Sequence, residues 1–156
     1  MAKVSVSVDV PLSPAQAWQH ASDLSRYSEW LSIHRVWRST PPKTIDEGTV
    51  VESIVEVRGL RNRITWTIVN FRPPESLTLD GVGTNGVKVK MIGRVRPGAA
   101  ARSDRVGPAG ESAVVSMGIH LGGPALFGPI GLIVAAGLRS DIRASLDRFV
   151  TVFAPA

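Results

Sequence analysis

The chain contains no cysteine. That excludes a disulfide framework, thiolate nucleophiles and every cysteine-dependent zinc site. It suits a reducing cytoplasm, which is the expected compartment. The opening residues Met1 to Val6 lack the apolar stretch of a secretory leader. The longest apolar run extends only from Ile130 to Leu138 and is closed by Arg139 and Asp141. It is far short of the ~20 residues needed to cross a bilayer, so no membrane span is expected. There is no internal repeat, no low-complexity tail and no composition shift that would mark a second domain. At 156 residues the chain is read as one domain, 1–156, able to bury a core of its own.

Chemical signatures are missing as well. No His-Glu-x-x-His occurs, and His20, His34 and His120 are not spaced as metal ligands, so no metal is expected. No Gly-x-Ser-x-Gly occurs, and the glycines near residue 122 are not followed by the Lys-Ser/Thr of a phosphate-binding loop. No cofactor is called for.

What is present is alternation. Val4, Val6, Val8 and Val10 alternate with polar residues, the period of a strand with one wet face. Ser13 and Pro14 then read as the cap and first residue of a short helix reaching Ala21. Ser22 or Asp23 caps a second helical turn towards Trp30. Strand patterns return over residues 52–58, 61–71, 76–82, 87–96 and 111–121, separated by Gly59, Pro73-Pro74, Thr84-Asn85-Gly86 and a Gly/Ala/Arg-rich loop at 97–110. From Pro129 to Phe153 the period becomes helical, with Ile130, Val134, Leu138, Ile142, Leu146, Phe149 and Phe153 on one stripe. Sequential strands with short connections pair antiparallel, and the long helix must cover their apolar face. The expected fold is therefore α+β. A curved antiparallel sheet of six to seven strands wraps a long C-terminal helix, with two short helices after the first strand.

One helix about 10 Å wide cannot fill such a concavity alone. Ala135, Ala136 and Gly137 on the helix would leave room there, so an apolar ligand cavity is expected. Its lining is read as Trp30, Ile33, Val55, Trp66, Ile68, Met91, Met117, Ile119, Phe127, Ile133, Ala136 and Gly137. Alternatively, the small residues bring the helix close and the tryptophans fill the core. The stretch Gly122 to Pro129 is a tight strand-to-helix crossing, an anion site at a helix start, or a lid carrying Leu126 and Phe127. No catalytic set is visible. His34 is the one weak candidate for a general base, near the expected pocket mouth.

Net charge is +5, from 18 basic and 13 acidic residues. Residues 81–110 hold six of the basic ones and only Asp104 among acids. Lys88, Lys90, Arg94 and Arg96 share one strand face, which Arg58, Arg61 and Arg63 are expected to join. Such a face either serves solubility or tracks phosphates of RNA or a ribosome, although it lacks interleaved aromatics.

Two segments carry a resemblance. Val8-Asp9-Val10-Pro11-Leu12-Ser13-Pro14-Ala15-Gln16-Ala17-Trp18, followed by Asp23-Leu24-Ser25-Arg26-Tyr27-Ser28-Glu29-Trp30, resembles the opening of the START/Bet v1-like superfamily. That group is often labelled polyketide cyclase/dehydrase and lipid transport. The resemblance covers nearly the whole chain and implies a helix-grip fold with an apolar pocket. The segments at 30–39, 85–90 and 120–131 further resemble a mycobacterial branch described as the toxin of a type II toxin–antitoxin pair. This implies growth inhibition relieved by a small antitoxin protein. The superfamily shares no catalytic residues, so the resemblance carries only pocket positions. The loop at 97–110 departs from the pattern in being longer and richer in Arg, Ala and Gly. Three functions follow in order: a non-enzymatic toxin, a carrier of lipid or polyketide-like molecules, and a cyclase or dehydratase using His34.

Overall fold

The computed structural model describes residues 2–40, 42, 44–57, 60–83, 86–98, 112–123 and 129–153. Strand β1 (Ala2–Val10) buries Val4, Val6 and Val10 and turns Lys3, Ser5, Ser7 and Asp9 to solvent, as its alternation requires. Helix α1 (Pro14–Ala21) begins on a capping box. The Ser13 Oγ accepts from the Gln16 backbone N–H at 3.2 Å, and the Gln16 Oε1 accepts from the Ser13 N–H at 3.3 Å. Asp23 caps a single 3-10 turn (Leu24–Arg26), which runs into the one-turn helix α2 (Tyr27–Trp30).

The remaining strands are β2 (His34–Trp37), β3 (Val50–Val57), β4 (Leu60–Arg72), β5 (Ser76–Val82), β6 (Lys88–Pro97) and β7 (Ala113–Gly122). All pairings are antiparallel, and one seven-stranded sheet has the order β1-β7-β6-β5-β4-β3-β2. The chain thus climbs from β2 to β7 by neighbouring hairpins and closes the far edge with its first strand. Strand β2 was not readable as a strand. It has four residues, and a register shift between His34 and Val36 breaks its alternation.

Helix α3 (Pro129–Phe153) packs on β1, β3 and α2, so it spans the mouth of the curled sheet, while α1 lies on β6 and β7. Leu138, Ile142, Leu146 and Phe149 are at most 1% exposed, the stripe that the helical period predicts. Each fully buried side chain of this size contributes about 1.5–3 kcal/mol relative to exposure. The same helix corrects one expectation. Ala136 is exposed, because two residues turn it about 200° from Leu138. Gly137, one step away, is buried.

Candidate functional site

The interior between α2 and the sheet is lined by aliphatic, aromatic and sulfur side chains. Trp30 is 1% exposed and meets Phe149 edge-on at 5.2 Å and Tyr27 edge-on at 5.4 Å. Trp66 lies across β5 because Gly81, its register partner, has no side chain. A Cβ at Gly81 would come within 2.6 Å of Ile64 and 2.8 Å of Trp66. Trp66 Nε1 donates to the Ser53 Oγ at 2.8 Å, which satisfies a buried hydroxyl on β3. Trp37 Nε1 donates to the Leu24 carbonyl at 2.8 Å. Trp30 Nε1 differs: it is buried and has no partner among the described residues. An unsatisfied buried donor costs about 1–3 kcal/mol, which an acceptor reaching it would recover.

Two small voids adjoin these groups. One, about 20 Å³, is bordered by Trp18, Tyr27, Trp30, Met91, Gly93 and Met117 among others. The other, about 10 Å³, is bordered by Ile33, His34, Trp37, Ser53, Val55 and Trp66. Tyr27, Leu79 and Met91 border both, so they form the partition between them. Each void has room for about one water molecule. Of the expected lining residues, Trp30 and Met117 border the first void, Ile33, Val55 and Trp66 the second, and Met91 both, and neither void is the size of a lipid. Ile68 and Ile119 are buried in the core without bordering either void, and exposed Ala136 borders neither. Phe127 and the side chain of Ile133 lie outside the described residues. Tyr27, Leu79 and Gly93 were not anticipated. Tyr27 sits on a one-turn helix too short to show a periodicity, and Gly93 carries no hydrophobic signal at all.

His34 is buried, with its ring 4.5 Å from that of Trp37 and 6.4 Å from that of Tyr27. Burial pushes its pKa down to about 4, so it is neutral at physiological pH. The same burial pushes the Tyr27 phenol up. His20 is held below its ordinary value by burial and by Arg26; it stacks on Phe153 at 4.3 Å, while Arg26 lies 4.6 Å over the same ring. Among the described residues, no group of three His, Cys, Asp or Glu side chains could hold a metal.

The outer face divides by charge. Lys88, Lys90, Arg94 and Arg96 all point outward from β6, as read from alternation, and all are exposed. Arg61 and Arg63 do not extend that basic face. Arg35 and Arg61 both pair with Glu56, Arg61 at 2.6 Å, and Arg63 pairs with Glu52 at 3.1 Å. These two guanidiniums hold the Glu56 carboxyl below its ordinary value. Arg58 and the segment 99–111 lie outside the described residues, as do residues 124–128 of the glycine-rich crossing.

Comparison with known proteins adds what geometry alone does not. The family model for polyketide cyclase/dehydrase and lipid transport matches residues 1–154. A Mycobacterium tuberculosis protein named Toxin Rv0910 is 60% identical over 154 residues, covering 99% of both chains. A second protein of that organism, Rv1546, is uncharacterised; it is 37% identical over 153 residues, 98% of this chain and 99% of its own. Among solved structures, a START superfamily protein from Mycobacterium smegmatis superposes with a TM-score of 0.71 at 14% identity, over 97% and 99% of the two chains. Protein CV1439 from Chromobacterium violaceum gives 0.67 at 12% identity over 100% of both. At these identities the structural likenesses show the helix-grip fold.

Proposed function

This chain belongs to the polyketide cyclase/dehydrase and lipid transport family, and on that premise we propose that it is a growth-inhibiting toxin, acting by binding rather than catalysis and held in check by a small antitoxin protein. The whole chain is read as one domain working in the cytoplasm. No helix among the described residues is long and apolar enough to cross a membrane. The observation that carries the reading is 60% identity, over 99% of both chains, to a protein named as a toxin. Binding is favoured over catalysis by the surroundings of His34. Its neighbours are the rings of Tyr27 and Trp37, and an imidazole with a pKa of about 4 is a feeble general base near neutrality. The test is growth of a mycobacterial host after induced expression, beside an empty vector. Arrest that is relieved by co-expressing the adjacent small gene supports the proposal. Unimpaired growth at high expression removes it.

A second reading, carriage of an apolar lipid or polyketide-like molecule, is favoured by the unpartnered Trp30 Nε1 beside a void. The ligand would carry an acceptor oxygen on an otherwise apolar body. It would enter by displacing Met91, the flexible part of the partition between the two voids.

A further inference from the structure

We propose that the outward face of β1, β7 and β6 docks an acidic polypeptide, in which carboxylates alternate with apolar side chains. The inference rests on the toxin reading only in supposing a protein partner; the face itself is argued from register and charge. Registry aligns Lys3, His120, Lys90 and Asp80 in one row across four strands. The next outward rows hold Ser5, Gly118 and Ile92, then Ser7, Ser116 and Arg94. Outward residues on β6 recur about every 6.8 Å, and neighbouring strands lie about 4.8 Å apart. An extended peptide laid along β6 therefore meets a cation at nearly every second residue, with Ile92 between Lys90 and Arg94.

The charge on this face is basic in balance, with Asp80 and Asp9 as its acids among the described residues. Lys90 approaches Asp80 at 3.8 Å, but Lys3, Lys88, Arg94 and Arg96 have no ion-pair partner among the described residues. At the other end of the sheet Arg35, Arg61 and Arg63 are taken up by Glu52 and Glu56. The surface is also recessed. Gly118 is outward on β7, and a Cβ there would meet nothing nearer than 3.8 Å, so the glycine leaves a dip beside Ile92. Arg139 of α3 borders the same groove as Lys3, Arg94 and Arg96.

Apolar content selects polypeptide over RNA. Half-buried Ile92 and Val114 and Val82, 59% exposed, lie within the cationic field. A phosphodiester backbone gains nothing from them, whereas leucine or valine side chains would cover them. The groove offers no Phe, Tyr or Trp among its described residues, and His120 is its one ring on which a base could stack.

The test uses the full chain and three labelled probes: a peptide repeating Glu-Leu-Glu-Ser, its Leu→Ser counterpart, and a single-stranded RNA of equal charge. Fluorescence anisotropy at physiological ionic strength reads their affinities. The Leu-containing peptide is expected to bind best, and to lose about tenfold or more in the Arg94→Glu/Arg96→Glu variant. Arg143→Glu/Arg148→Glu, on the exposed side of α3, makes the same change in net charge and should leave binding intact. Circular dichroism confirms that both variants fold. The inference is overturned if the RNA binds as tightly as the peptide, if the Leu→Ser probe binds equally well, if both variants weaken binding alike, or if the peptide does not bind. Growth arrest with no peptide binding would overturn this inference and spare the toxin reading. Peptide binding without growth arrest would do the reverse.

Discussion

At the residue scale, the tryptophans separate structural from available hydrogen-bonding capacity. Trp66 and Trp30 are both buried, but only the Trp66 indole has a described partner, Ser53. Trp66→Phe strands a buried serine hydroxyl, whereas Trp30→Phe removes a donor already without a described partner. With similar volume lost in each, urea unfolding should show Trp66→Phe costing about 1–3 kcal/mol more than Trp30→Phe. Equal losses would mean that the Trp66–Ser53 bond contributes nothing. His34 supplies a pH dependence. Its folded pKa of about 4 lies below the ordinary value of 6.5, so the unfolded chain binds its proton more readily. The associated stability is complete above pH 6.5 and is lost as pH falls towards 4. His34→Phe should flatten the stability profile in that window, as read by chemical denaturation at a series of pH values. The burial of Trp66 and Met91 was legible from their places on alternating strand faces. The lone donor on Trp30 was not, because satisfaction of a polar atom is decided by tertiary neighbours.

At the element scale, β1 and β3 to β7 and helix α3 were legible because each alternates or repeats over seven or more residues. Strand β2 was not, since its bulge removes the period that four residues could show. Ala136 illustrates the same limit on α3. A run of small residues suggested a shared concave face, but the helix turns consecutive residues 100° apart and sends Ala136 to solvent. The contribution of α3 is concentrated at its buried stripe, so Phe149→Ala should cost about 3–5 kcal/mol in equilibrium unfolding. A loss below 1 kcal/mol would show that the helix is not anchored there. On β5, Gly81→Ala has no room for its methyl group beside Ile64 and Trp66. Displacement of Trp66 should appear as altered tryptophan fluorescence and lowered stability, whereas an unchanged spectrum would contradict the close packing.

At the scale of the whole molecule, the described residues form a wrapped sheet whose interior holds small voids and whose exterior divides by charge. Gly93 faces inward on β6, and a Cβ there would meet only the Leu77 carbonyl, at 3.9 Å. Gly93→Ala should therefore be tolerated while filling part of the larger void. If the carrier reading holds, this substitution weakens binding of an apolar fluorophore at least severalfold in a titration; unchanged affinity would place the fluorophore elsewhere. The cationic strand was readable as a face from alternation alone. Its contrast with the paired arginines of β2 and β4 was not, because Glu52 and Glu56 reach them only through strand registry. The family was legible through resemblance, whereas no catalytic pattern was readable in the sequence. The most direct test is growth of a mycobacterial host under matched induction of the wild-type chain and of His34→Phe. Arrest by both is the predicted result. Growth undisturbed by either, at verified expression, would contradict the toxin assignment; arrest by the wild type alone, with a folded variant, would contradict action by binding.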